Sequence, residues 1–153
     1  MTVQNRSIGD LITVRRAGAN TAVTAGGSGD NTEVTGVIID RAAIGFPKSC
    51  VVAIPFTTTL AAAATMTLAW SLEDGNDAGL SDAAVLTSAS AAVVATGPTG
   101  GGTVTGTFEA NVNLAGAGRY VRIKFTPNLS AANTDTAALS AVVVFGGAER
   151  LPA

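Results

Sequence analysis

Hydrophobic and polar residues take turns along much of this chain. In residues 66–73, Met66, Leu68, Trp70 and Leu72 share one phase, and Thr67, Ala69, Ser71 and Glu73 share the other. In residues 103–114 the inward row is Val104, Phe108, Val112 and Leu114, and Gly106 and Ala110 leave room there for larger side chains opposite. Val121, Ile123 and Phe125 alternate with Tyr120, Arg122, Lys124 and Thr126. A period of two sends successive side chains to opposite faces of a strand. These segments therefore predict strands with one dry face, which a second layer must cover.

Shorter strands are predicted at 11–16, 21–25 and 33–40, the last with Val34 and Ile38 opposed to Val37 and Ile39. Segments 50–57 and 139–145 are apolar on both faces, whereas an antiparallel sandwich strand usually keeps one face polar. Such strands either run centrally under loops or turn their outer face to another subunit. Val142 and Val144 are candidates for that interface, and Tyr120 and Arg122 are a second candidate pair. Residues 81–95 read either as short strands or as one weak helix. Gly-, Asn- and Asp-rich turns are expected at 26–31 and 74–77, a mobile loop or loop tip at 97–102, and a strand end at Pro127 and Asn128. No repeat or linker divides the chain. It reads as a single all-β domain over 1–153, an antiparallel β-sandwich or barrel of about eight strands. Residues 1–16 serve as an N-terminal arm or an edge strand.

Composition adds the prospect of a partner. Charged residues are only 13% of the chain, about half the usual share, so little keeps the surface strongly hydrated. The net charge of −2 offers no basic stripe for nucleic acid. Arg119, Arg122 and Lys124 come nearest, and they read as solvated or subunit-facing charges. The polar N-terminus lacks the apolar stretch of a secretory signal, and no apolar run is long enough to span a membrane, so a cytosolic product is expected.

The candidate chemistry is thin. With no histidine, the Ser-His-Asp and Cys-His systems and the common His-based zinc sites drop out. The single cysteine, Cys50, reads as a buried small hydrophobe. Glu73, Asp74, Asp77 and Asp82 cluster near one turn, but sequence neighbours at a turn do not face each other across a bound sugar. Asp74, Asn76 and Asp77 could bind calcium, yet the spacing is not that of an EF-hand and a hydrated turn is favoured. The glycines of 97–102 are followed by Thr103 and Val104 rather than the Lys-Ser or Lys-Thr of a phosphate loop. No catalytic residue, cofactor site or metal site is expected, and so no enzyme.

The C-terminal third carries a resemblance. The run Gly118-Arg119-Tyr120-Val121-Arg122-Ile123-Lys124-Phe125-Thr126, a loop of small residues, and then Ala138-Leu139-Ser140-Ala141-Val142-Val143-Val144-Phe145-Gly146-Gly147 resembles the end of tailed-phage capsid cement proteins of the Bordetella-phage type. Trp70-Ser71-Leu72-Glu73-Asp74-Gly75-Asn76 extends the match, which covers about half the chain. The resemblance implies a jelly-roll sandwich, usually trimeric, that sits on the outside of the expanded head and clamps the major capsid protein. It implies a location in the virion after assembly in the host cytoplasm. The Ala/Gly-rich stretch 83–102 departs from the family pattern and is expected to be an exposed tip or an extra contact. The other classes left open are a different virion component, such as a small coat, fibre, spike or tail protein, and a sugar- or calcium-binding module.

Overall fold

The computed structural model describes residues 8–130 and 134–148. In chain order the strands are β1 (Ile12–Arg16), β2 (Thr21–Thr24), β3 (Val34–Thr35), β4 (Ile39–Asp40), β5 (Ser49–Leu60) and β6 (Thr65–Gly75). They continue with β7 (Ala84–Thr96), β8 (Gly102–Asn113), β9 (Tyr120–Leu129), β10 (Thr136–Leu139) and β11 (Val142–Gly146). All strand pairings are antiparallel.

Three pairs of segments are halves of interrupted strands. β10 and β11 lie end to end along the same edge of β5 in one register, Leu139 opposite Phe56 and Val142 opposite Ala53. β1 and β2 line the far side of that pair. β3 and β4 share one edge of β9. The eleven segments therefore act as eight strands. One sheet runs β1/β2, β10/β11, β5, β8, and the other runs β3/β4, β9, β6, β7. Numbered as eight, these orders are 1-8-3-6 and 2-7-4-5, the interleaving of a jelly roll.

The sequence explains each interruption. Pro55 sits in the middle of β5 and has no N–H to give toward β10/β11, and there the ladder breaks; Ser140 still donates to the Pro55 carbonyl at 3.2 Å. The Ala141 carbonyl turns the other way and accepts from Ala17 and Gly18, which bridges the gap between β1 and β2. Between β3 and β4, Gly36 presses against the carbonyls of Ala17 and Ile123, where any Cβ would collide. This kink breaks the expected alternation of 33–40: Val34 is half-buried and Ile39 buried, while Val37 and Ile38 are exposed. Pro127 does not end its strand, contrary to expectation. β9 runs on to Leu129 because the proline's nitrogen faces the β3 side, where only Asn31 meets it, donating to the Pro127 carbonyl at 2.9 Å.

The inner faces of the sheets meet in one hydrocarbon core of Ile54, Leu60, Met66, Leu68, Leu72, Leu114, Ile123, Phe125 and Phe145. The inward row of β8 follows the predicted phase. Gly106 lies opposite Phe56, whose ring occupies the space a side chain at 106 would need. Segment 81–95 resolves into one strand, β7, bulged against β6 at three places.

Two acidic or basic side chains lie inside among the described residues: Asp135, which accepts from the Ala61 N–H at 2.8 Å, and Arg41. Arg41 is 2% exposed, and its guanidinium donates to the carbonyls of Ala117, Gly118, Pro47 and Leu114. It thereby ties the β8–β9 connection to the entry of β5, a task suited to the planar donor fork of arginine. Replacing Arg41 with Ala should lower stability by about 3 kcal/mol, since several buried carbonyls lose their partner at once. Arg41→Lys should recover only part of this, both read from urea unfolding midpoints.

Candidate interaction surfaces

The outer face of the first sheet carries the two-faced apolar strands. Cross-strand register places Val14, Val144 and Val51 in one row ending at Asn111, and Arg16, Val142, Ala53 and Glu109 in the next. Gly146 and Ser49 occupy the row on the other side, and their small side chains leave a shallow groove of about 490 Å³ walled by β1, β5, β8 and β11. Val14 is 52% exposed, and Val51, Val142 and Val144 are half-buried. Further along the same face the apolar row gives way to Thr24, Thr136, Thr59 and Thr103. The interface expectation for Val142 and Val144 thus falls on a continuous apolar strip. The strip includes β1, so residues 12–16 form an edge strand; residues 1–7 of the expected arm lie outside the described residues.

Tyr120 and Arg122 lie across the sandwich from that strip, on the outer face of β9. One flat contact cannot use both pairs. Arg122 donates to Glu73 at 2.7 Å, and Lys124 reaches Glu73 at 2.8 Å and Glu33 at 3.3 Å. Arg119 forms a two-point pair with Asp40 and lies over the Tyr120 ring, 5.1 Å from its centroid. The three cations nearest to a basic stripe are therefore each paired with a carboxylate of the same chain.

The acidic cluster serves the backbone. Asp82 accepts from the N–H groups of Asn76 and Asp77, and Asp77 from those of Gly79 and Ser81. Asp74 accepts from Gly118 at 2.6 Å and Asn76 from Arg119 at 3.2 Å. The β8–β9 loop is thus held by its carbonyls through Arg41 and by its N–H groups through Asp74 and Asn76. No group of acidic and cysteine side chains suited to a metal ion occurs among the described residues. Burial pushes the Cys50 thiol up to about 12, which leaves it a neutral core group. Trp70 packs inward in phase with Met66 and Leu68, tilted against Phe108. Of the two readings of 97–102, the structure shows the loop tip, between the end of β7 and the start of β8, and it is anchored: Gly97 abuts the Ala61 carbonyl and donates to Ala64 at 2.8 Å. No helix among the described residues is long and apolar enough to cross a membrane.

One surface escaped the alternation argument. β7 is the free edge of the second sheet, and Val85 and Val93 stand on it 59% and 58% exposed. Its sequence signal is composition rather than period: thirteen consecutive residues without a charge or a proline.

The Glu73 cluster has a pH signature. Burial pushes the Glu73 carboxyl up, but the Lys124 and Arg122 hydrogen bonds outweigh it and hold the group below the ordinary glutamate range. A depressed carboxylate stabilises the fold above its unfolded pKa, and that contribution is lost as pH falls through the folded value. Glu73→Gln should cost about 1–2 kcal/mol near neutral pH, and the gap to the parent should close as pH falls below about 4. Urea denaturation across that range reads both effects.

No family model matches the sequence, and no curated protein matches it. Among solved structures, the chain is similar to that of the Gx strain of infectious bursal disease virus, with 10% identity and a TM-score of 0.47 over 92% of this chain. It is also similar to the VP2 subviral particle of that virus, with 11% identity and a TM-score of 0.41 over 89% of this chain. It spans about a third of those chains, 34% and 33% respectively. An adhesin domain of Lys-gingipain from Porphyromonas gingivalis is similar at 16% identity and a TM-score of 0.37, over 84% of this chain and 72% of that domain.

Proposed function

We propose that this chain is a structural component of a viral capsid, and specifically a cement protein on the outside of a tailed-phage head. The observation that carries the reading is the apolar strip of Val14, Val144 and Val51 on the outer face of a jelly roll whose interior is filled with hydrocarbon. Jelly rolls serve chiefly as capsid, lectin and cupin domains. A sugar reader needs exposed aromatic platforms, and here Trp70 is buried and Tyr120 is stacked against Arg119. A catalytic jelly roll needs reactive groups converging in its interior, which here holds Met66, Leu68, Ile123 and Phe125. What remains is a domain that offers surfaces.

Such surfaces act through repetition. Each contact made by small, uncharged side chains is weak, but a lattice presents many at once and raises their effective concentration. The apolar strip is the docking surface for the major capsid protein. The ion-paired face of β9 stays toward solvent, because prising Arg122 and Lys124 from Glu73 would cost more than a flat contact returns. Self-association into a trimer, as the cement resemblance implies, belongs to the same reading.

The test uses capsids of the phage that encodes the chain. The purified protein should bind expanded heads saturably and leave compact precursor shells bare. Val144→Asp should weaken binding at least about tenfold while leaving the circular dichroism spectrum unchanged. Equal binding to both shell forms, or none to expanded heads, would overturn the proposal. Assembly of the chain alone into shells or tubes would make it a coat or tail protein instead.

A further inference from the structure

The outer face of the first sheet is broad, regular and almost free of charge. The pairings of β5 with β8, β10 and β11, and of β11 with β1, run without a bulge, so the face is built of cross-strand rows. Four strands about 4.8 Å apart, along the twelve residues of β5 at about 3.4 Å each, cover roughly 750 Å². That matches the share of about 800 Å² that each partner gives to a stable interface.

The outward strand positions are uncharged, with two exceptions. Arg16 and Glu109 occupy the two ends of one row, with Val142 and Ala53 between them. Both are exposed, and no ion pair engages either among the described residues. The strand spacings that separate them, about 14 Å in all, are too wide for them to pair with each other. Arg16 gives its Nε to the Gly18 carbonyl at 3.1 Å, which leaves its terminal nitrogens for another partner.

This row complements its own reverse: the basic end meets the acidic end, and Val142 meets Ala53. A two-fold contact requires that property. It is met when two copies lie face to face about an axis parallel to the strands, between β11 and β5. Arg16 of each copy then stands over Glu109 of the other. The next row sets Val144 over Val51, and the row of Thr24, Thr136, Thr59 and Thr103 meets only threonines. An axis laid along the Arg16 row instead sets Arg16 on Arg16 and Glu109 on Glu109, so the charges select the first arrangement. The row crosses β5 at Ala53, near its middle, where two twisted sheets packed at a small angle stay closest.

We propose that a second copy of this chain packs on this face, oriented by two reciprocal Arg16–Glu109 pairs. The contact is sheet on sheet and covers the strip of Val14, Val144 and Val51. It does not rest on the capsid reading. Where that reading holds, a phage head and a second copy compete for one face.

The experiment uses the full chain without capsids, so its outcome is independent of the docking test. Sedimentation equilibrium over a dilution series at low salt should show a reversible dimerisation step. R16E and E109R each set like charges together twice and should weaken that step at least about tenfold. R16E/E109R exchanges the two ends and should restore it to within about threefold of the parent. An equal mixture of R16E and E109R should pair more tightly than either variant alone, because opposite charges meet at both ends. Circular dichroism should be unchanged throughout, since both positions are exposed. The proposal is overturned if the parent shows no dimerisation step, or if either single variant associates as well as the parent. It is equally overturned if R16E/E109R behaves like the single variants, or if mixing them gains nothing.

Discussion

A buried or paired backbone must satisfy its N–H and C=O groups, and in this sandwich that requirement decides where the chain can break. Pro55 can occupy a central strand because the missing donor falls where β10 gives way to β11. The carbonyl of Ala141, freed from β5, is taken up by Ala17 and Gly18 on the other side. The same accounting places Pro127 toward the β3 edge and puts Arg41 beneath four carbonyls of the Pro47 and 114–118 segments. Even the acidic residues of the β6–β7 turn serve this end, and Asp30 accepts from Gly26 and Leu129 to hold another loop against β9. Two long strands, β7 and β8, are left paired on one side only, and β7 is bulged at three places.

Much of the fold was legible in the sequence because one residue in two repeats a clear signal. Met66, Leu68, Trp70 and Leu72 all point inward as their phase requires, as do Val121, Ile123 and Phe125. The pairing of Gly106 with Phe56 follows from leaving a gap on an otherwise apolar row. Alternation failed where the backbone leaves the regular pleat. Gly36 kinks the chain between Val34 and Ile39, and this turned Val37 and Ile38 outward. Segment 81–95 carried no clean period because its three bulges each insert residues that shift the phase. Pro127 misled for a different reason: a proline's effect depends on which side of the strand its nitrogen faces, and that is set by a partner remote in sequence.

Candidate surfaces were harder to read than strands. That Val142 and Val144 face outward follows from their phase against Val143 and Phe145, and the structure adds the neighbours Val14 and Val51 that turn two residues into a strip. Tyr120 and Arg122 shared a strand face, as expected, but no local pattern could place that face on the opposite side of the sandwich. Nor could it show that Arg122 and Lys124 converge on Glu73, because that carboxylate comes from a strand about fifty residues earlier in the chain. Each is thus paired with a carboxylate of its own chain.

The apolar strip and the ion-paired face of β9 fall on opposite sides of the sandwich. In the proposed role, an apolar strip that carries no charge of its own has little to fix one orientation, so the partner's lattice would have to supply direction and repetition. Small, poorly charged side chains would then suffice for attachment only where many copies engage one lattice at once.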